Sequence, residues 1–195
     1  MTLKIKSISI IITFPAIALV TLIIVTNFLT NYLLCFIAII IHESAHLIAM
    51  YICGSKPRAF EISFFDIKII ENNRLTLPFY KDIIITFSGP VINILMYFLF
   101  LYIDIPFAYV NLFLGLFNLL PCASLDGGQV IYLILSKRIS ERLTERIIDI
   151  LTLITLFPIF VVGIIVLFNS NYNFSLLFLC LYLLLSLFIK KSKYL

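Results

Sequence analysis

Charge is what this sequence lacks most. Only 12% of its 195 residues are Asp, Glu, Lys or Arg, about half the share of an ordinary soluble domain, and a water-facing globule is thereby excluded. The four cysteines, Cys35, Cys53, Cys122 and Cys180, show no C-x-x-C spacing and mostly sit inside apolar runs, where they read as small packing residues. Histidine occurs twice. No internal repeat or low-complexity tract is evident, and no soluble domain is expected at either end, so one membrane-embedded domain accounts for residues 1–195.

What fills the sequence instead is hydrocarbon. Hydrophobic residues make up 63% and the mean hydropathy is +1.16. Apolar runs of about 20 residues recur, each long enough to cross a bilayer core as a helix. The expected spans are Ile8–Phe28, Tyr32–Cys53, Ile83–Ile103, Pro106–Leu135, Ile147–Phe168 and Phe174–Ile189. The fourth is too long and too interrupted for one plain helix. At the N-terminus, Ala16-Ile17-Ala18 has the form of a signal cleavage site, but the apolar run continues through Leu19–Val25, so an uncleaved first span is expected.

The net charge of +4 is less informative than its placement. Lys4 and Lys6 precede span one; Lys56, Arg58, Lys68, Arg74 and Lys81 lie between spans two and three; Lys137, Arg138, Arg142 and Arg146 follow span four; Lys190, Lys191 and Lys193 follow span six. The other three connections carry no basic residue. Excess Lys and Arg mark the cytoplasmic face, so both termini are expected there. Dispersal over four short segments speaks against nucleic acid as the partner.

Between spans two and three, Phe60, Ile62 and Phe64 alternate with Glu61 and Ser63, and after Phe65 the phase shifts by one residue. That pattern predicts a bulged strand, a turn at Glu71-Asn72-Asn73 and a short return over Arg74–Leu77. The expected fold class is therefore an all-α integral membrane protein, with six transmembrane helices and a short cytoplasmic β-hairpin between spans two and three. Ser136–Arg146 reads as a solvated helical connection.

Both histidines lie in span two, within His42-Glu43-Ser44-Ala45-His46. Four residues apart on a helix, they sit about 40° apart around the axis and ~6 Å along it, so both imidazoles reach one metal ion. Glu43 is placed to accept a proton from a water that the metal has acidified for attack on a peptide carbonyl. Ionisable groups at membrane depth are costly and mark function by default. A catalytic zinc usually takes three protein ligands. Asp126 supplies the best third: His46 lies 10 residues before Lys56 and Asp126 lies 11 before Lys137, which puts both ~15 Å inside the cytoplasmic boundary. Pro121 and the Gly127-Gly128 pair are expected to open the fourth segment beside the metal, since irregular backbone at that depth needs protein or water around it. Asn118, just outside the break, is placed either to donate to an oxyanion or to satisfy a freed carbonyl. In span three, Gly89-Pro90-Val91-Ile92-Asn93 sets a kink and an amide into an apolar helix, with Asn93 lining the cavity or binding substrate backbone.

Together these segments resemble the site-2 protease family of intramembrane metalloproteases, which shows H-E-x-x-H in one span, G-P-x-x-N in a second and N-x-x-P…L-D-G in a third. Here they stand in that order as His42–His46, Gly89–Asn93 and Asn118–Gly127. The layout is similar to the six-span sporulation branch of that family, with both ends cytoplasmic. The resemblance implies zinc held by His42, His46 and Asp126, with Glu43 as the base. No PDZ or nucleotide-binding CBS domain is recognised, so gating or ATP-linked regulation through either is not expected. The expected activity is zinc-dependent cleavage of a membrane-associated or membrane-tethered protein in a bacterial cell membrane. A catalytically idle zinc-holding scaffold and a metal-ion transporter are the competing readings; an idle copy need not keep Glu43, and a transporter needs polar groups through the full membrane thickness. Substrate unwound near the metal is expected to pair with an edge of the hairpin, at Ile62 or Ile67.

Overall fold

The computed structural model describes residues 2–5, 8–12, 29–55, 57–62, 67–71, 77–169 and 174–192. Helices dominate: α1 (Leu29–Cys53), α2 (Phe79–Phe100), α3 (Ile105–Asn118), α4 (Asp126–Ser136), α5 (Glu141–Asn169) and α6 (Ser175–Ser192). Four strands accompany them: β1 (Thr2–Ile5), β2 (Ile8–Ile12), β3 (Pro57–Ile62) and β4 (Ile67–Glu71). Two compact units divide the chain, Met1–Leu116 and Phe117–Leu195.

Among the described residues, three helices are long and apolar enough to cross a membrane: Leu33–Cys53 within α1, α2 and α5; Ile105–Asn118 and Leu176–Leu185 are shorter apolar helices. On α5, Ile154, Phe157 and Phe168 are 63%, 70% and 78% exposed, a display that hydrocarbon solvates and water does not. This is an integral membrane protein.

In the first unit, α1 ends in a Schellman arrangement. Gly54 takes φ +78°, its N–H bonds Tyr51 O at 3.2 Å, and Ser55 N–H bonds Met50 O at 2.9 Å, which satisfies carbonyls the helix end would orphan. Lys81 Nζ donates to Cys53 O at 2.7 Å, a cation at the negative end of the α1 dipole. Ala49, Met50 and Cys53 pack on Ile85 of α2. Asp104 caps α3 by accepting from Phe107 N–H at 3.0 Å. Phe100 stacks edge-on against Phe107, centroids 4.9 Å apart, and Tyr97 meets Tyr109 at 5.9 Å, so α2 and α3 run antiparallel.

The strands correct three expectations. Span one does not begin at Ile8, because Ile8 starts β2 and Ser9–Ile12 pairs in register with Ala59–Ile62 as a parallel strand; alternating Ile8-Ser9-Ile10 is strand patterning that merges with the apolar run after it. Residues 13–28, which hold the remainder of that expected span and its cleavage-like site, lie outside the described residues. The single bulged strand expected across Phe65 is instead two strands, β3 and β4, paired antiparallel with Ile62 opposite Ile67; residues 63–66, where the phase shift falls, and 72–76, after Glu71 ends β4, lie outside the described residues. The hairpin also belongs to a four-stranded sheet of order β1-β2-β3-β4. Ile62 therefore sits on an internal strand, and β4, with Ile67, is the edge.

In the second unit, the long fourth segment is two helices. The backbone leaves helical geometry over 119–125 and α4 starts at Asp126, so the glycine pair lies in the first turn of a helix and not in the break itself. A Cβ on Gly127 would collide with the carbonyls of Leu119 and Leu120, and one on Gly128 with the Cys122 carbonyl; only glycine lets this helix start fold back so closely. Thr152 of α5 supports the break, accepting from Ala123 N–H at 2.9 Å while donating to Ile148 O at 2.8 Å. Cys122, Leu156, Cys180 and Leu183 form the core around it, and all four cysteines are free thiols. The stretch expected as a solvated helical connection, Ser136–Arg146, takes in the last residue of α4 and the start of α5 at Glu141.

Candidate metal centre

Helical spacing puts His42 and His46 one turn apart on α1, and α2 determines where their rings point. His42 Nδ1–H donates to Asn93 Oδ1 at 3.1 Å. His46 Nδ1–H donates to the Ile85 carbonyl at 2.8 Å; Ser88 Oγ, which donates to the same carbonyl at 2.7 Å, lies 3.3 Å from that nitrogen. The Ile85 carbonyl accepts only, and Asn93 presents its oxygen, so both rings carry their proton on Nδ1 and leave an Nε2 lone pair.

Those two Nε2 atoms lie 3.2 Å apart. Two nitrogen lone pairs at that separation repel unless a cation or proton stands between them. Tetrahedral zinc with Zn–N bonds of ~2.0–2.1 Å holds adjacent ligand nitrogens ~3.3 Å apart, so the pair has the spacing of a tetrahedral edge. His42 is 4% and His46 8% exposed, and an Nδ1–H bonded to carbonyl or amide oxygen is the usual outer support of a ligating imidazole.

Gly89 leaves room for the ion. A Cβ there would meet Nε2 of His46, Nε2 of His42 at 2.6 Å and Cε1 of His42 at 2.7 Å. The glycine expected to ease helix approach serves the ligand atoms themselves. Asn93, expected to line the cavity or touch substrate, is wholly buried and orients His42.

His42 and His46, in the first unit, each offer a ligand nitrogen, and Asp126, in the second, offers a carboxylate oxygen. Two imidazoles and a carboxylate suit zinc's preference for borderline nitrogen and oxygen donors, so the residues present fit the ion. Asp126 is half-buried as the first residue of α4. Glu43 follows His42 on α1 and is half-buried. Asn118 is the last residue of α3, at the other end of the break from Asp126.

Sequence reading gave Ser88 and Thr152 no role, and it did not single out Asn111, an amide 0% exposed inside apolar α3. The signal for Asn111 was present, as a polar side chain amid an uninterrupted apolar run; nothing set Thr152 apart from other span threonines.

Comparison with known proteins now adds to the geometry. Residues 105–162 match the family model described as Peptidase family M50, a stretch that contains Asn118 and Asp126 but not the histidine pair. The site-2 protease from Methanocaldococcus jannaschii has a similar structure, with TM-score 0.70 and 20% sequence identity over 94% of this chain and 91% of that one. The chain shares the site-2 protease fold and carries the M50 segment. A sequence comparison with curated proteins finds no match. The M50 match supports a protease, and His42–His46 lie on one helix with the matched segment downstream.

Proposed function

We propose that the chain is an intramembrane zinc metalloendopeptidase that cleaves a membrane-associated or membrane-tethered protein, working as one membrane-embedded domain. The observation that carries this reading is the pair of buried Nε2 atoms 3.2 Å apart, each ring fixed through Nδ1. In the reaction, water adds to the scissile carbonyl carbon, the C–N bond breaks, and an amine and a carboxylate leave. Zinc, when bound, supplies Lewis acidity that lowers the pKa of a water toward ~7 and polarises the carbonyl. His42 and His46 contribute neutral nitrogens, and Asp126 a carboxylate oxygen that offsets part of the ion's charge. Glu43 takes the proton from the attacking water and returns it to the departing amine nitrogen. Asn118 donates its amide N–H to the carbonyl oxygen as that oxygen gains charge.

A transmembrane substrate has to unwind to expose a carbonyl, and its freed backbone groups then need partners. The β4 edge offers them by strand addition. The six-span layout, with both termini cytoplasmic, rests on the one-sided Lys and Arg.

The test is coexpression with candidate membrane-tethered substrates alongside zinc analysis of the purified protein. Glu43→Gln is expected to keep one zinc and lose cleavage by at least ~10²-fold. Asp126→Ala is expected to lose the zinc; full occupancy in that variant would remove Asp126 from the ligand set. Proline scanning of Ile67–Glu71 is expected to impair cleavage with zinc retained, and cleavage unchanged at every position would end the docking role. A reporter fused after Leu195 is expected to be active on the cytoplasmic side.

A further inference from the structure

Two buried amides in the first unit each leave one atom without a partner. Asn93 accepts from His42 through Oδ1, but among the described residues its Nδ2 has no hydrogen-bond partner; Asn111 donates Nδ2 to Phe107 O at 2.9 Å, and among the described residues its Oδ1 has none. Both residues are 0% exposed. An orphaned buried polar atom is costly, and membrane hydrocarbon provides no water to serve it. One orphan is a donor and the other an acceptor.

The helices bring them to the same seam. A Cβ on Gly115 of α3 would lie 3.2 Å from Asn93 Cβ and 3.1 Å from Pro90 O. Asn111 precedes Gly115 by four residues, so it shares that face one turn (~6 Å) away, on the side where Tyr97 meets Tyr109.

We propose that Asn111 is a positioning residue of the metal centre, its Oδ1 accepting a hydrogen bond from Asn93 Nδ2. An asparagine amide has two faces of opposite polarity. Turned the wrong way, Asn93 presents NH2 to His42; Nδ1 then becomes the acceptor, the proton moves to Nε2, and the nitrogen that should bind the ion carries hydrogen. Asn111 selects the correct face, because only Nδ2 can meet an acceptor. Asn111 is itself held the right way round by the Phe107 carbonyl, which accepts and never donates. Polarity therefore runs from a backbone carbonyl through two amides to the His42 lone pair.

This inference rests on the metal-site reading, and one experiment separates the two. Zinc affinity of the full chain in detergent is measured by chelator competition for wild type, Asn111→Leu, Asn93→Asp and the double variant. Asn111→Leu is expected to weaken zinc about tenfold. In the Asn93→Asp background it is expected to change affinity less than about twofold, or to improve it, since a carboxylate presents an acceptor to His42 whichever way it turns. An Asn111→Leu affinity within twofold of wild type, or an equal loss in both backgrounds, overturns the proposal. Should Asn111→Leu fail to fold, Asn111→Thr serves: its hydroxyl keeps a bond four residues back, as Thr86 and Thr152 do, but is too short to reach Asn93. Zinc binding undiminished by His42→Ala with His46→Ala would instead overturn the metal-site reading and this inference with it.

Discussion

Gly89 and Gly128 are both held free of a side chain by crowding, yet what crowds them differs. At Gly89 the space is taken by the ligand nitrogens of His42 and His46, which belong to side chains on another helix. At Gly128 it is taken by the Cys122 carbonyl, part of the chain's own backbone six residues earlier. The first glycine shapes the site, and the second allows the helix that bears Asp126 to exist. A fold can therefore lose its metal without losing its shape at one place, and at the other cannot keep its shape at all.

The sharpest way to break that contrast is alanine at each position. Gly128→Ala drives a Cβ into backbone that cannot swing aside, and is expected to give little or no folded protein, read by yield and monodispersity in detergent. Gly89→Ala meets only imidazole rings, which can turn away. It is expected to purify with a melting temperature within a few degrees of metal-free wild type but with zinc near zero by metal analysis. Equal yields and equal zinc in the two variants would erase the distinction.

Smaller effects sharpen it. Thr152→Val keeps the side chain's shape but strips the Ala123 N–H of its acceptor, at a cost of about 1–3 kcal/mol, so the melting temperature is expected to fall by several degrees. Ser88→Ala leaves the stronger His46-to-Ile85 bond intact, and zinc affinity is expected to stay within about threefold of wild type.

The same contrast explains what could be read from the sequence. The proposed ligands could be picked out because helical geometry is local: His42 and His46 declare their common face by spacing alone, and Asp126 was chosen by its distance from Lys137. The break before Asp126 was legible from Pro121 and the overlong run. How the glycines work was not, because Gly127 and Gly128 fit in the first turn of a helix as easily as in a turn, and only their carbonyl neighbours decide. The strand at Ile8–Ile12 was hidden for a different reason. A β-branched run that continues into apolar sequence carries no mark of where extended backbone stops, and its partner at Ala59–Ile62 lies some fifty residues away. Asn93 was seen but expected to line the cavity or bind substrate backbone, since sequence shows an amide's depth and not which ring it meets.

The way each helix satisfies its own polar groups bears on how the protein is built into the bilayer. On α5, Thr144, Thr152 and Thr155 each return their hydroxyl to the carbonyl four residues back, Ser140, Ile148 and Leu151, so these polar side chains enter lipid already paired. On α1, Ser44 likewise bonds back to Ile40 O at 2.6 Å, but His42 and His46 find partners on Asn93 and Ile85 of α2, which the ribosome makes 51 and 39 residues later. The nascent α1 therefore carries unpaid polarity at membrane depth until α2 arrives, and the two are expected to leave the insertion machinery side by side, with α5 free to partition alone.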